Sequence, residues 1–265
     1  MRRETGRRTP TRYGDWALVT GASDGIGQAV AERLAADGVN LVLVARRADV
    51  LDASAAAWRA RHGVTVRPIA LDLSAPDGAD RLLAATADLD IGLAVLAAGF
   101  GGSGAFIDSP IARELDMLNL NCRAVLVLTH GFAQRLVARG GGGLVLFGSV
   151  LGWQGVPYSA HYAATKAYVQ SLAEGLRHEL APRGVDVLAV APGPVHTGFA
   201  ARATMRMDAA DTPDRVAAAI HHALGRSGTV VPGRVGKALT WPLALLPRVA
   251  RTRIVGRAMR RMIAE

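Results

Sequence analysis

The chain has 265 residues, half of them hydrophobic and a fifth charged, which suits one α/β domain with a large core and excludes a disordered protein. The net charge of +9 lies at the ends, because residues 1–12 carry +4 and residues 226–265 carry +8, leaving −3 between them. One cysteine, Cys122, excludes an internal disulfide. No apolar run reaches the roughly 18 residues of a membrane span, and no apolar segment of a secretory signal follows the N-terminal arginines. We therefore expect a cytoplasmic protein.

Seven short apolar runs are predicted to be β-strands. Helix-like runs of about ten residues or more separate them, and the strands are continuously apolar, which is typical of strands buried on both faces of a parallel sheet. This alternation predicts an α/β fold with a doubly wound, seven-stranded parallel sheet flanked by helices. The predicted strands are residues 16–20, 40–45, 64–71, 91–97, 143–148, 185–191 and 228–233.

The chain divides into three predicted parts. Residues 1–13 are a basic, disordered arm, residues 14–235 are the α/β domain, and residues 236–265 are a basic amphipathic helical extension. Residues 253–263 can form a helix with arginines on one side and apolar side chains on the other. That helix either contacts an anionic membrane surface, as a peripheral contact, or packs on the protein body or a neighbouring subunit.

The sequence VTGASDGIG, residues 19–27, directly follows the first predicted strand. Gly21, Gly25 and Gly27 fall where the strand turns into a helix. Backbone there can approach a pyrophosphate closely, and the helix N-terminus offers unpaired N–H groups. The TGxxxGxG spacing therefore predicts a dinucleotide-binding turn.

The sequence SAHYAATKAY, residues 159–168, contains one of only two lysines in a chain with 29 arginines. Tyr162 and Lys166, four residues apart, share one face of a helix. A tyrosine hydroxyl, with a pKa of about 10, is a poor acid–base catalyst near neutrality, and a nearby ammonium lowers that pKa. The pair is therefore predicted to supply a proton to a substrate oxygen.

Together these motifs resemble the short-chain dehydrogenase/reductase family. The resemblance covers roughly residues 14–233 and implies a Rossmann fold. It also implies an enzyme that transfers hydride between a nicotinamide and a carbonyl or secondary alcohol. One difference is LAAG at 96–99, where the family usually has Asn-Asn-Ala-Gly, asparagines that mainly tie neighbouring strands together. The matching positions are the TGxxxGxG turn, Asp72 in LDL, Asn121, Ser149, the Tyr162–Lys166 pair and PGPVHTGF at 192–199.

The resemblance implies a role for each of four catalytic residues. Tyr162 is the general acid/base, and Ser149 holds the substrate oxygen. Lys166 bonds the nicotinamide ribose, and Asn121 holds a water that links Lys166 to solvent. The residues implied to contact the cofactor are Gly21, Ser23, Asp24, Gly25, Ile26, Gly27, Arg46, Arg47, Asp72, Leu73, Ala98, Gly99, Tyr162, Lys166, Pro192, Gly193, Val195 and Thr197.

The end of the second strand predicts a preference for NADP(H) over NAD(H). NAD-preferring relatives place an acidic residue where Ala45 stands. Arg46 and Arg47 follow, and a guanidinium can grip a 2′-phosphate through charge-assisted bonds. The alternative is that both arginines only cap the end of the strand, in contact with solvent, and bind no phosphate. Asp24 counts against the preference, because its carboxylate would repel a nearby phosphate.

The substrate is expected to be a lipophilic carbonyl or alcohol. Residues 194–212 should form a substrate flap with Phe199, Met205 and Met207, and Trp153, Tyr158 and Phe199 are candidate substrate contacts.

The family also implies a homodimer or homotetramer paired through helices at about 109–138 and 157–182. We expect no nucleic-acid partner and no metal. Two alternatives remain open: a non-catalytic dinucleotide-binding sensor or scaffold on the same fold, and an epimerase or dehydratase, for which the C-terminal part is short.

Overall fold

The protein is described by a computed structural model at residues 12–205 and 209–263. Its seven strands form one parallel sheet in the order β3-β2-β1-β4-β5-β6-β7. The predicted fold class is confirmed: the sheet is parallel, has seven strands and is flanked by helices. The strands are β1 Trp16–Thr20, β2 Asn40–Ala45, β3 Val66–Ala70, β4 Ile91–Leu96, β5 Gly142–Phe147, β6 Val185–Val190 and β7 Thr229–Val230.

The last strand is shorter than the sequence predicted. β7 stands at the sheet edge and covers two residues of the predicted 228–233. Pro232 has no N–H to donate, and Gly233 has a left-handed φ of 78°, so neither residue continues the strand. The α-helices are α1 Gly25–Ala36, α2 Ala48–His62, α3 Gly78–Ala85, α4 Ile111–Leu118, α5 Val125–Arg139, α6 Ala160–Leu180, α7 Phe199–Arg202, α8 Pro213–Ala223, α9 Arg234–Ala244 and α10 Arg248–Met262.

Both faces of the sheet are buried, which explains the continuous apolar runs. In β1, Ala17 and Val19 pack into the core beneath α1, α2 and α8, whereas Leu18 points into the core beneath α3, α5 and α6. Because successive side chains of a strand point to opposite faces, a strand between two cores must be apolar at every position.

The strand order reverses between β1 and β4. The chain runs from β1 outward to β3 and then returns to the other side of β1. In such sheets the carboxyl ends of the two strands at the reversal diverge and leave a crevice, which is where ligands bind. Thr20 ends β1 and Leu96 ends β4, so the glycine-rich turn and the LAAG segment both meet at this crevice.

A π-helix, Asn119–Ala124, joins α4 to α5. The three segments make one continuous helical run, close to the helix predicted at 109–138. The sequence did not predict the wide π-helical turn within it. Such wide turns are rare and occur often at functional sites. Asn121 lies in this turn.

The C-terminal part consists of α9 and α10, and its apolar side packs against the body. Gly256 lies against the ring of Pro157, where a Cβ would come within 2.8 Å of Cγ. Met259 is buried, and backbone at Ile263 pairs with Met205. Arg253, Arg257, Arg260 and Arg261 are exposed on the other side.

The start of the described chain also contacts the body. The Tyr13 hydroxyl donates to Asp186 at 2.9 Å, and Arg12 forms an ion pair with the same carboxylate at 2.8 Å. Both residues belong to the predicted basic arm, of which residues 1–11 lie outside the described residues, as does Met207 of the predicted flap. None of the helices at 12–205 and 209–263 combines the length and apolar character that crossing a bilayer requires.

Candidate active site

Tyr162 and Lys166 lie one turn apart near the start of α6, and both are buried. The Lys166 Nζ atom is 5.8 Å from the centre of the Tyr162 ring and donates to the backbone oxygen of Phe147 at 2.9 Å. Phe147 is the last residue of β5. This bond fixes the ammonium at the carboxyl edge of the sheet, beside the tyrosine.

Burial sets the protonation of this pair. It raises the pKa of the Tyr162 hydroxyl to about 12, although the hydrogen bond with Ser149 lowers it. It also lowers the pKa of the Lys166 ammonium to about 8. The sequence predicted a lowered tyrosine pKa, and the structure shows the opposite because the loss of hydration outweighs the neighbouring groups. At neutral pH Tyr162 is therefore protonated and able to donate.

Ser149 follows β5 and caps the short 3₁₀ helix Val150–Trp153. Its Oγ accepts a hydrogen bond from the backbone N–H of Leu151 at 3.2 Å, and the same hydroxyl lies close enough to Tyr162 to lower the pKa of that phenol. The backbone N–H of Val150 donates to Pro192 at 3.1 Å. The serine is thus held beside the tyrosine, and the segment after β6 is tied to the same turn.

Asn121 is fully buried and every polar atom of its side chain has a partner. Its Nδ2 donates to the Phe100 backbone oxygen at 2.9 Å and to Thr165 Oγ1 at 3.1 Å, and its Oδ1 accepts from the Phe100 N–H at 3.1 Å. The side chain therefore joins the loop after β4 to α6. A Cβ on Gly99 would lie 3.0 Å from Asn121 Oδ1 and 3.3 Å from Lys166 Nζ, so this loop needs a glycine there.

The glycine-rich turn has the close contacts that its sequence predicts. Gly21 has a left-handed φ of 69°, and a Cβ there would come within 3.0 Å of Ala98 backbone. A Cβ on Gly27 would lie 2.4 Å from the Gly21 oxygen, so only glycine lets α1 pack this closely. The Ala98 N–H donates to Thr20 Oγ1 at 3.0 Å, which ties β1 to β4 without the usual asparagines.

One cavity of about 710 Å³ extends from the glycine-rich turn to Tyr162. All predicted cofactor residues line it except Lys166, which lies buried behind Tyr162. Gly21, Gly25 and Gly27 are among its lining residues, and its volume lies in the usual range of small-molecule and cofactor sites. The residues present thus fit a nicotinamide dinucleotide.

Several charged groups at the end of the cavity near Arg46 already have partners. Arg47 donates to the backbone oxygen and the hydroxyl of Ser23, at 2.6 and 3.2 Å. Asp24 forms an ion pair with Arg202 at 3.0 Å. Arg46 lines the cavity and is exposed.

Asp72 lies near Arg46 and accepts two hydrogen bonds from Ser74. Desolvation tends to raise the pKa of this carboxyl, but the Ser74 hydrogen bonds and the charge of Arg46 outweigh it and hold the pKa below its ordinary value.

The opposite end of the cavity is apolar. Phe199 lies with its ring centre 5.5 Å from that of Tyr162, and Trp153 is part of the same wall. Tyr158, also predicted to contact the substrate, does not line this cavity, and its role stays a prediction. It lines a neighbouring cavity of about 40 Å³, has a left-handed φ of 65°, and its ring lies 5.3 Å from the Arg260 guanidinium carbon.

Sequence reasoning missed a large part of this apolar wall, which comes from the C-terminal helices. The apolar stripe of α10 was visible in the sequence, but the sequence did not show that this stripe lines the cavity. The residues of α9 and α10 that line the cavity are Thr240, Leu243, Arg251, Ile254, Val255, Ala258, Met259 and Met262. Within the described ranges, no three His, Cys, Asp or Glu side chains come together as a metal site.

Comparison with known proteins assigns the family. A family model described as short chain dehydrogenase matches residues 15–208. The chain belongs to the short-chain dehydrogenase family. A 7beta-hydroxysteroid dehydrogenase of Clostridium sardiniense is 36% identical over 182 residues, covering 69% of this chain and 70% of that protein. A very-long-chain 3-oxoacyl-CoA reductase of Podospora anserina is 38% identical over 181 residues, covering 66% of this chain and 53% of that protein.

Solved structures of the short-chain dehydrogenase family superpose over nearly the whole chain. A 7beta-hydroxysteroid dehydrogenase structure has a TM-score of 0.84 at 28% identity and covers 92% of this chain and 98% of its own. A short-chain dehydrogenase from Sphingobium yanoikuyae in complex with NADPH has a TM-score of 0.78 at 32% identity, with 92% and 93% covered. This short-chain dehydrogenase is therefore an oxidoreductase of a family that binds nicotinamide dinucleotides.

Proposed function

We propose that this short-chain dehydrogenase uses NADPH to reduce a bulky, lipophilic ketone to its secondary alcohol, and catalyses the reverse reaction when the product and NADP⁺ accumulate. The observation that carries the proposal is the buried Tyr162, which lies with Ser149 at the wall of a cavity that begins at the glycine-rich turn. A protonated hydroxyl at that place can donate its proton to the carbonyl oxygen of a substrate.

Each polar side chain has a task in this reaction. A nicotinamide dinucleotide held along the glycine-rich turn would supply the hydride that the carbonyl carbon accepts. Tyr162 donates its proton to the carbonyl oxygen, and the Ser149 hydroxyl donates a hydrogen bond to that oxygen and holds it in place. Lys166, at 5.8 Å from the ring, stabilises the tyrosinate that remains and binds the nicotinamide ribose.

Reprotonation of Tyr162 needs a path from solvent. Asn121 Oδ1 and Lys166 Nζ both lie beside Gly99, because a Cβ on that glycine would contact both. We assign Asn121 to hold a water that links Lys166 to solvent. Its full burial and its three hydrogen bonds keep the residue fixed at this place.

Three features of the cavity support the preference for NADPH. Ala45 offers no carboxylate to a ribose hydroxyl, and Arg46 is available at the cavity edge. Asp24, which could repel a 2′-phosphate, is neutralised by Arg202. Arg47 is bonded to Ser23 and therefore supports the turn. We assign the phosphate to Arg46.

The apolar wall supports a lipophilic substrate. Trp153 and Phe199 line the cavity, as do Met259 and other apolar side chains of α10. Relatives named for hydroxysteroids and for very-long-chain 3-oxoacyl-CoA substrates agree with a large hydrophobic carbonyl compound.

The protein is proposed to form a homodimer or homotetramer through its central helices. Ile111, Leu115 and Leu118 of α4, with Leu126 of α5, are exposed apolar side chains on one helical run. Membrane contact by the C-terminal part is not included in the proposal, because the apolar side of α10 faces the protein's own cavity.

A spectrophotometric screen tests the reaction. Purified protein is mixed with NADPH and a panel of ketones that ranges from acetone to oxosteroids and 3-oxoacyl thioesters, and the decrease of nicotinamide absorbance is followed. Turnover that increases with the bulk of the ketone supports the proposal. Tight NADPH binding without turnover of any ketone would favour the non-catalytic binding protein instead.

A further inference from the structure

Helix α10 presents one face to the cavity, and that face includes an arginine. The residues of α10 that line the cavity recur every three or four positions, so they form one stripe along the helix. They are Arg251, Ile254, Val255, Ala258, Met259 and Met262. Arg251 thus occupies the first position of an otherwise apolar stripe, whereas the other five arginines of α10 are exposed.

The side chain of Arg251 is unpaired within the described part of the chain. Its Nε atom is buried and lacks a hydrogen-bond partner there, and no described carboxylate forms an ion pair with it. Arg202, another cavity arginine, is paired with Asp24, and Arg47 is bonded to Ser23. Arg251 as a whole is half-buried, but a buried N–H without a partner is unfavourable, so a ligand atom that accepts from Nε would stabilise the complex.

The contacts of α9 and α10 place these helices at the end of the cavity away from Arg46, and Arg251 lines the cavity from α10. Thr252 lies beside Gly155, and Gly256 packs on Pro157, so α10 crosses the loop that follows the Ser149 turn. The start of α9 touches the segment after β6, since a Cβ on Gly193 would lie 2.7 Å from Gly236. Arg46 and Arg47 directly follow β2 and line the other end of the cavity.

We propose that Arg251 binds an anionic group of the substrate, a carboxylate or a phosphate, at the end of the molecule remote from the carbonyl. The inference rests on the proposed function and narrows it: the substrate is an amphipathic oxo-compound with one apolar body and one anionic end. The apolar stripe contacts the body. The planar guanidinium offers paired N–H donors that match a carboxylate or phosphate.

Equilibrium binding tests the inference separately from catalysis. Protein saturated with NADP⁺, which cannot reduce an oxo-group, is titrated in a calorimeter with a 7-oxosteroid that carries a carboxylate side chain and with its methyl ester. Arg251→Met removes the donors but keeps an unbranched apolar chain. Arg257→Met, an exposed position of the same helix, is the matched control. A 3-oxoacyl-CoA titrated in parallel distinguishes phosphate from carboxylate.

Arg251→Met should weaken binding of the carboxylate, or of the 3-oxoacyl-CoA, by about 10- to 100-fold, the effect of losing a hydrogen bond to a charged group. Ester binding should change less than about threefold, which also shows that the variant is folded. Arg257→Met should resemble wild type, and Arg251→Lys should recover part of the loss.

Three results would overturn the inference: equal loss for acid and ester, no loss for any anionic probe, or weaker NADP⁺ binding in Arg251→Met. The last would assign Arg251 to the cofactor. Absence of NADPH-dependent turnover, with selective binding of the anionic probe intact, would overturn the proposed function and leave the Arg251 site standing.

Discussion

The burial of Lys166 beside Tyr162 makes its charge sensitive to pH. Burial lowers the pKa of this ammonium to about 8 from the ordinary 10.5. Between these values the unfolded chain binds a proton that the folded protein does not, so the free energy of unfolding increases with pH. We expect wild type to gain about 2 kcal/mol relative to Lys166→Met between pH 7 and pH 9.5, measured by urea unfolding.

The second lysine of the chain provides the control for this measurement. Lys237→Met removes the same charge from an exposed position in α9. A stability difference between wild type and Lys166→Met that stays flat from pH 7 to 9.5 would show that Lys166 is not desolvated as the structure indicates.

Arg46 gives a second prediction for a single residue. Arg46→Ala should lower kcat/KM with NADPH by about 10- to 100-fold and leave NADH almost unchanged, because only NADPH has the phosphate. Arg47→Ala is the matched control: Arg47 supports the glycine-rich turn through Ser23, so its loss should affect both cofactors alike. Equal losses for both cofactors in Arg46→Ala, or a wild-type preference for NADH, would refute the assignment.

The sequence predicts the role of a residue where a short motif contains it. It does not predict properties that depend on contacts between residues far apart in the chain. The Tyr162–Lys166 spacing and the glycine-rich turn are local patterns, and local patterns can be read from sequence. The neutralisation of Asp24 joins residues 178 positions apart, and the raised tyrosine pKa depends on burial by several elements. Neither leaves a local signal.

At the scale of secondary structure, α10 is the element that lines the apolar end of the cavity, the proposed substrate site. Gly256→Ala should displace this helix, since the new Cβ would come within 2.8 Å of Pro157. We expect a several-fold higher KM for a bulky ketone, with the Kd of NADPH unchanged. Steady-state kinetics and fluorescence titration measure the two constants.

A second glycine controls for helix propensity. Gly175 in α6 has open space around its Cβ position, so Gly175→Ala should stabilise the protein by up to about 1 kcal/mol and leave KM unchanged. An unaltered ketone KM in Gly256→Ala would mean that α10 does not shape the substrate site.

The elements themselves were largely predictable, but their destinations were not. The apolar stripe of residues 253–263 predicted a helix, whereas nothing local shows that it covers the cavity of its own chain. The π-helix at Asn119–Ala124 also had no sequence signal, because its wide turn is stabilised by contacts of Asn121 with the Phe100 loop and α6.

At the scale of the whole molecule, the exposed apolar side chains of α4 and α5 predict self-association. Leu115 is 50% exposed, and Leu115→Arg would place a charge in the proposed interface. We expect a monomer by analytical ultracentrifugation where wild type is a dimer or tetramer. Leu245→Arg, at an equally apolar but distant position that is 91% exposed, should not change the assembly state.

An unchanged sedimentation coefficient for Leu115→Arg would exclude this face as the interface. The apolar face is the only part of the assembly prediction that a single chain can show, because a subunit interface depends on a second copy.

The sheet explains why the fold and the location of the site followed from the sequence. Strands buried on both faces leave an unambiguous apolar pattern, and parallel strands place all their carboxyl ends at one edge. Ser149 and the glycine-rich turn each follow a strand, so both had to lie at that edge. The apolar wall formed by α9 and α10 follows no such pattern, so its location could be found only from the structure.

Turnover and cofactor binding of Tyr162→Phe test the central claim most directly. The variant loses one hydroxyl at a buried position and keeps the ring that contacts Phe199. NADPH should bind with a Kd close to that of wild type, while kcat for the best ketone of the panel should fall by about 10²- to 10⁴-fold, the usual effect of removing a positioned proton donor. A kcat within about threefold of wild type, with NADPH still bound, would contradict the account.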